Sequence, residues 1–574
     1  MMHLPILDHK NYIEELSSRD ENIRENATYM LMHLTSNSSN QAIIAQAGAI
    51  TPLIRLLSDS NTNTRCYAAN ALGNLALDHK KNQIAIAQSG AITPFIKLLS
   101  DSDTAVRKGA VEALLNLSAI DKNQTTITQM GAIQPLITLL SDNDTAVREN
   151  AVKALLNLSI IDENQITIAQ MGAIQPLVTL LSDNDTETRK VAIKLLVNLA
   201  RKPENHIPIA QAGAITPLIN LLSNDDHAKI RQYATNALIN LANNPENQKT
   251  IIQMGINAID PLISFLSESD TKIRCYATKL LSFLVCNPKN QIAKTNGITL
   301  LIGLLSNSHT KIRCYAARTL ANLAFNNNES EILIAQAGAI QPLISLLSDS
   351  DTAVRDDAAN ALANLAHNHE NHIPITQAGA IIPLTRLLSD DNAQTRIGAT
   401  SALANLARNH ENHIPIAQAG AIIPLIKLLS SDVKIEVPYA SKALKRLSPN
   451  LEKIVSEQPD IIESLISLLS NSDIHIRSYA AAALAKLAQD TKNHTILAQS
   501  GAIESFRQLL FYDNTTIKQS ATIALNHLNV NPENIERIKT ASSTETTTSF
   551  DMQEIQQSLP SIPKEPVTLQ EEVG

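Results

Sequence analysis

Gly131-Ala132-Ile133-Gln134-Pro135-Leu136-Ile137-Thr138-Leu139-Leu140-Ser141 is one copy of a block that returns along nearly the whole chain. Its glycines are Gly48, Gly90, Gly131, Gly172, Gly213, Gly338, Gly379 and Gly420, with irregular copies at Gly255 and Gly297, and the spacing is 41 or 42 residues. Self-similarity at this period marks a small helical unit stacked many times, because one unit alone cannot cover its own apolar face. The 574 residues therefore read as one long array rather than as about three or four ordinary domains.

Residues 122–160 predict the unit. Asn123 is expected to cap a short first helix over 124–130, and Gly131 to end it in the left-handed region. Pro135 opens a second helix where a missing N–H is harmless. Asp142-Asn143-Asp144 breaks the chain and caps a third helix over 145–159, on which Val147, Ala151, Ala154, Leu155 and Leu158 share one face. Twelve such repeats run from about 40 to 530, preceded by a partial one at 11–36. The expected organisation is an N-terminal segment with a partial capping repeat (1–39), a solenoid (40–540) and a disordered acidic tail (541–574). The inserted Ile256-Asn257, the proline lost after Gly297, and Pro438 and Pro449 predict irregularity over 255–300 and 430–460.

A net charge of -8 argues against nucleic acid as a partner, which needs a basic face. No apolar run reaches the ~18 residues of a membrane span. Cys66, Cys275 and Cys314 recur in the same Arg-Cys-Tyr-Ala setting, which points to packing in a reducing compartment rather than to metal or redox chemistry. His367, His369 and His372, with His410 and His413 one unit later, have metal-like density but read as a duplicated solvent turn. No catalytic constellation, metal site or cofactor motif is found, so a non-enzyme is expected.

The alternation of Ile-Ala-Gln-x-Gly-Ala-Ile-x-Pro-Leu-Ile-x-Leu-Leu-Ser with Ala-x-x-Ala-Leu-x-Asn-Leu-Ala closely resembles the armadillo repeat family, and it resembles vacuolar-scaffold-like and plant armadillo proteins more than importin-α. The resemblance implies an all-α fold, a right-handed armadillo-type α-solenoid superhelix of about 12 three-helix repeats. It also implies that the third helices line a concave groove for extended protein segments.

Eight third helices carry an asparagine just before a core leucine: Asn74, Asn116, Asn157, Asn198, Asn240, Asn322, Asn364 and Asn405. A carboxamide donates and accepts, so a row of them can meet the N–H and C=O groups of an extended chain without reading its sequence. An extended chain rises about 3.3–3.6 Å per residue, so layers ~10 Å apart address about every third residue. The row stops at Phe283 and gives way to Arg446, Lys486 and His527, which predicts a regular backbone grip in repeats one to five and seven to nine. One turn earlier, Lys153, Lys194, Lys279 and Arg318 suggest a mildly basic mid-groove suited to an acidic peptide. The tryptophans that importin-α-like proteins place there are absent from this chain.

The expected function is a non-enzymatic scaffold or adaptor that holds extended, acidic segments of partner proteins. Alternatives are the substrate-recognition subunit of a ubiquitin ligase with a separate catalytic chain, and a nuclear-transport-type cargo adaptor. A cytoplasmic monomer is expected, with the nucleus, or a host cytosol if the source is bacterial, as other locations.

Overall fold

A computed structural model describes residues 9–224, 227–285, 297–429, 431–447 and 460–529. The chain divides into two compact units, Met1–Pro383 and Leu384–Gly574, and the described residues of both form helices and their connections. In the first unit a capping pair, His9–Glu15 and Glu21–Thr35, precedes the stacked repeats.

Repeat 3 illustrates the unit: Asp121–Gln129, Ile133–Thr138 and Thr145–Leu158. Gly131 has φ 82°, and the Ala132 N–H reaches back to Ile127 O at 3.2 Å, closing the first helix with a Schellman-type bond. Pro135 falls in the first turn of the second helix. Asp144 caps the third helix by accepting from the Val147 N–H at 3.0 Å, and Val147, Ala151, Val152, Ala154, Leu155 and Leu158 are buried. Alanine between leucines lets successive third helices approach closely, and each fully buried leucine contributes about 1.5–3 kcal/mol.

One cap differs from expectation. The first helix begins at Asp121, so Asn123 lies inside it, and its buried carboxamide donates to Leu117 O at 3.1 Å and Gln83 O at 3.3 Å. The same bond back to the end of the preceding third helix is made by Asn82 to Leu75 O, Asn164 to Leu158 O, Asn205 to Leu199 O and Asn371 to Leu365 O. The neighbouring Gln124 and Gln165 reach Ser118 O and Ser159 O at 2.9 and 3.0 Å. Buried amides satisfied in this way fix how each first helix sits on the previous unit.

A second stitch runs from the start of a third helix to a loop of the next repeat. Arg107 Nε donates to Asp142 at 2.8 Å, and its Nη1 bridges Asp101 O and Ser102 O. Arg24–Asp59, Arg65–Asp101, Arg148–Asp183 and Arg313–Asp349 repeat the pair. Burial alone would raise the Asp142 carboxyl, but the bond from Arg107, the Asp144 N–H and the Arg107 and Arg148 charges hold it below the usual range. Its contribution is therefore present above the ordinary carboxylate pKa and is lost as acid titrates it. Asp142→Ala strands an arginine whose side chain is only 17% exposed. It should cost about 2–3 kcal/mol in urea unfolding at neutral pH; a loss under about 0.5 kcal/mol, the worth of a solvated surface pair, would contradict this role.

The expected irregularities have local causes. Gly255, at φ 59°, opens directly into a second helix of 10 residues, Ile256–Phe265, where repeat 4 has 7, so the two inserted residues lengthen that helix. Pro438 sits in the first turn of a third helix cut to 12 residues, Glu436–Leu447. The expectations about Pro449 and the tail 541–574 lie outside the described residues.

Candidate functional site

The third-helix asparagines occupy equivalent half-buried positions. In the first unit each donates through Nδ2 to the last turn of the preceding third helix. Asn116 bonds Gly73 O at 3.1 Å, Asn240 bonds Val197 O at 3.2 Å, and Asn322 and Asn364 bond Ser282 O and Ala321 O at 2.8 Å. Asn157 and Asn198 use the hydroxyls of Ser118 and Ser159, at 3.0 and 2.8 Å, and Asn74 reaches Met32 O and Thr35 Oγ1. The row is thus partly a set of bolts between helices, a role that sequence spacing does not reveal. A carboxamide has two donor hydrogens and an acceptor oxygen. Among the described residues none of these seven oxygens accepts a hydrogen bond.

Asn405 holds the equivalent position in the second unit, and one repeat later Arg446 donates through Nη1 to Ala404 O at 2.6 Å. An arginine there keeps the inter-helix bond while adding charge. At the gap in the row, Phe283 O instead accepts from Gln248 Nε2 at 2.6 Å.

The four groove cations differ in what faces them. Lys153 is bound to Glu149 one turn earlier at 2.5 Å. Arg318 pairs with the buried Asp357 at 2.9 Å, which also takes the Cys314 thiol at 2.9 Å. Lys279 lies 5.9 Å from the centre of the Tyr315 ring, with Arg318 5.8 Å away from the same ring. Burial, then the charges of Lys311 and Arg318, push the Lys279 amine below its usual range. Lys194 is exposed and has no partner among the described residues. Of these four cations, Lys194 and Lys279 are the two with no acid paired to them among the described residues.

The cysteines pack as the spacing suggests. Burial, reinforced by Asp357, pushes the Cys314 thiol up to about 12, and burial also raises Cys66 and Cys275, which disfavours thiolate chemistry. The histidine turn needs a correction: His372 and His413 are buried, with Nε2 2.9 Å from Ala366 O and Ala407 O, and His206 and His494 do the same. Among the described residues no three of His, Cys, Asp and Glu come together to hold a metal ion. No single helix among them is long and apolar enough to cross a membrane.

This geometry defines a helical-repeat solenoid with a polar third-helix face. Residues 10–173 match the plant U-box protein ARM repeat region, 203–347 an armadillo-like model, and 133–239 and 298–404 a HEAT-repeat model. Among curated proteins there is no match. An engineered protein from a structural genomics consortium is 30% identical, with 69% of this chain and 98% of that one covered and a TM-score of 0.61. A structure from work on the phosphorylation-controlled interaction between cadherin and beta-catenin is 18% identical, with 91% of this chain and 98% of that one covered and a TM-score of 0.68; it shares the fold. A designed armadillo repeat protein is 30% identical over 40% of this chain and 99% of its own, with a TM-score of 0.38. The chain belongs to the armadillo repeat family, whose members are commonly protein-binding scaffolds.

Proposed function

We propose that this protein is a non-catalytic scaffold that grips extended segments of partner proteins along the third-helix face of its first unit. The observation that carries the reading is the row of half-buried asparagines, each fixed by one bond to its neighbour and each with an oxygen that accepts nothing from the described residues. The inter-helix bond holds the carboxamide in one rotamer, so a ligand that docks meets groups already oriented, which lowers the entropic cost of binding. The free oxygen can accept an N–H from a passing chain, and the second Nδ2 hydrogen can meet a carbonyl. Backbone recognition of this kind gives affinity with little sequence selectivity.

Charge adds selectivity through Lys194 and Lys279, which favour acidic segments. A tiled array of peptides spanning acidic and basic sequences, read by direct binding of the whole chain, tests the reading. Acidic extended peptides should be retained and proline-free basic ones rejected; indifference to peptide charge would remove the acidic preference, and no retention of any peptide would remove the groove. Lys194→Glu is expected to weaken a captured acidic peptide about tenfold, the worth of roughly 1.4 kcal/mol, and to flatten its salt dependence. An unchanged salt response would discard the role of that residue.

A further inference from the structure

The stitch from third helix to loop loses its acid near the end of the second unit. Arg477 stands in the first turn of the third helix Ile474–Leu487, and Tyr512 lies 35 residues later, in the loop between Ala502–Leu509 and Thr515–Leu528. The same spacing separates Arg107 from Asp142 and Arg148 from Asp183. Tyrosine thus fills the position that aspartate holds there.

The exchange leaves Arg477 buried without a counter-charge. It is only 8% exposed, its Nη1 donates to Asn471 O at 2.6 Å as Arg107 Nη1 does to Asp101 O, and among the described residues no carboxylate pairs with it. In Arg24, Arg65, Arg107, Arg148 and Arg313 it is Nε that donates to the aspartate. Arg477 Nε has no partner among the described residues. What Tyr512 offers is neutral: its ring centre lies 4.3 Å from the guanidinium carbon, and its Oη accepts from Nη1 at 3.0 Å. Stacking recovers part of the lost attraction. A buried N–H with no acceptor stays costly until an anion or another acceptor reaches it. Arg274 also has a bare Nε, but the loop register there holds Asn307, a side chain that takes no phosphoryl group.

Tyrosine can acquire the missing charge. Tyr512 is 41% exposed and follows Phe511, which is 85% exposed, so the hydroxyl stands on an accessible loop. We propose that Tyr512 is a phosphorylation site and that its phosphate takes the place of the missing aspartate on Arg477. A tyrosine kinase supplies the group from a nucleoside triphosphate: the bond from Oη to phosphorus forms, the bond to the diphosphate leaving group breaks, and the phenolic proton passes to the kinase's base. Oη already lies at hydrogen-bond distance from Nη1, so phosphate oxygens built on it fall beside that nitrogen and the bare Nε. The phosphate carries about -1.5 to -2 charge at neutral pH and three strong acceptor oxygens. Modification braces repeat 12 against repeat 11, a phosphatase releases it, and neither step depends on how the first unit holds its partners.

The test uses the full chain with phosphotyrosine incorporated at position 512 by stop-codon suppression. By phosphorus NMR, the second ionisation of the phosphate should fall at least about 0.5 pH unit below that of the same phosphotyrosine in a peptide spanning 508–516, because a guanidinium favours the dianion. Amide exchange across Ala502–Leu509 and Thr515–Leu528 should slow about fivefold or more against the parent chain. A titration equal to the peptide's, or exchange that is unchanged or faster, would overturn the proposal. Arg477→Gln, checked for folding by circular dichroism, should erase the difference in titration; a difference that persists in it would assign the phosphate to other groups and overturn the pairing. Access is read separately: a broad-specificity tyrosine kinase that modifies the peptide 508–516 with ATP should also phosphorylate Tyr512 in the folded chain, mapped by mass spectrometry. A folded chain left unmodified at Tyr512 would overturn its assignment as a site.

Discussion

Replacing Glu331 with glutamine is expected to raise stability at about pH 8 by roughly 2–3 kcal/mol and to remove most of the change in unfolding midpoint between about pH 5 and pH 8. Glu331 occupies the position that Gln124 and Gln165 fill in other repeats, facing the junction between a third helix and the next first helix. It is fully buried, and among the described residues neither carboxylate oxygen has a hydrogen-bond partner. The His367 ring lies beside it, with Nδ1 3.5 Å from Oε1. Burial pushes the carboxyl up to about 7. A raised acid binds its proton more tightly in the folded state, so its contribution is intact below the unfolded carboxylate pKa and is lost as pH rises through about 7. Gln83 follows a turn of the same kind, with Asp78 and Asn326 both at φ 52°, and is accommodated there nearly buried. Urea midpoints of both proteins across that pH range provide the check; a pH dependence shared equally by Glu331→Gln would contradict it.

The second large effect separates bolt from grip. Asn157→Ala/Asn198→Ala/Asn240→Ala removes three inter-helix bonds and three groove carboxamides together. At about 1 kcal/mol per net hydrogen bond, affinity for an array-selected peptide should fall on the order of a hundredfold or more, and stability should fall by a few kcal/mol. Ser118→Ala/Ser159→Ala removes the partners of Asn157 and Asn198, together with the hydroxyls' own bonds to Leu115 O and Leu156 O, and leaves the carboxamides on the face. That variant should lose comparable stability per bond yet bind the peptide within about threefold of the parent, a difference under about 0.7 kcal/mol. Equal loss of binding in both variants would make the asparagines bolts alone.

Much of the fold was legible because its signals are local and repeated. Glycine at positive φ after most described first helices, 82° at Gly131, proline in the first turn of the second and an aspartate or asparagine cap before many of the third each impose a backbone choice, and the period repeats them in register. The long-range stitches were not legible. Arg107 and Asp142 are 35 residues apart, with the first and second helices of the next repeat between them, and nothing in their spacing says that they meet. Asn123 looked like a cap because asparagine favours caps, yet its carboxamide is more valuable closing buried carbonyls on two neighbouring helices. The histidines were misplaced for the same reason: a polar side chain near a turn reads as solvated until the carbonyl it satisfies is seen.

The candidate face was legible by residue type and incomplete by partner. The asparagine row was visible, but its bonds to the preceding helix depend on packing between units. The basic stripe was visible, but Glu149 and Asp357 neutralise half of it. Net charge along a helix face is decided by which acids the next helix presents.

Hydrogen–deuterium exchange of the whole chain with and without a saturating acidic array peptide addresses the central claim most directly. The account predicts added protection confined to the third helices of the first unit, over Thr104–Leu117, Thr145–Leu158, Thr186–Leu199 and Ala228–Ala242. Protection centred on the first and second helices, with these third helices unchanged, would contradict it.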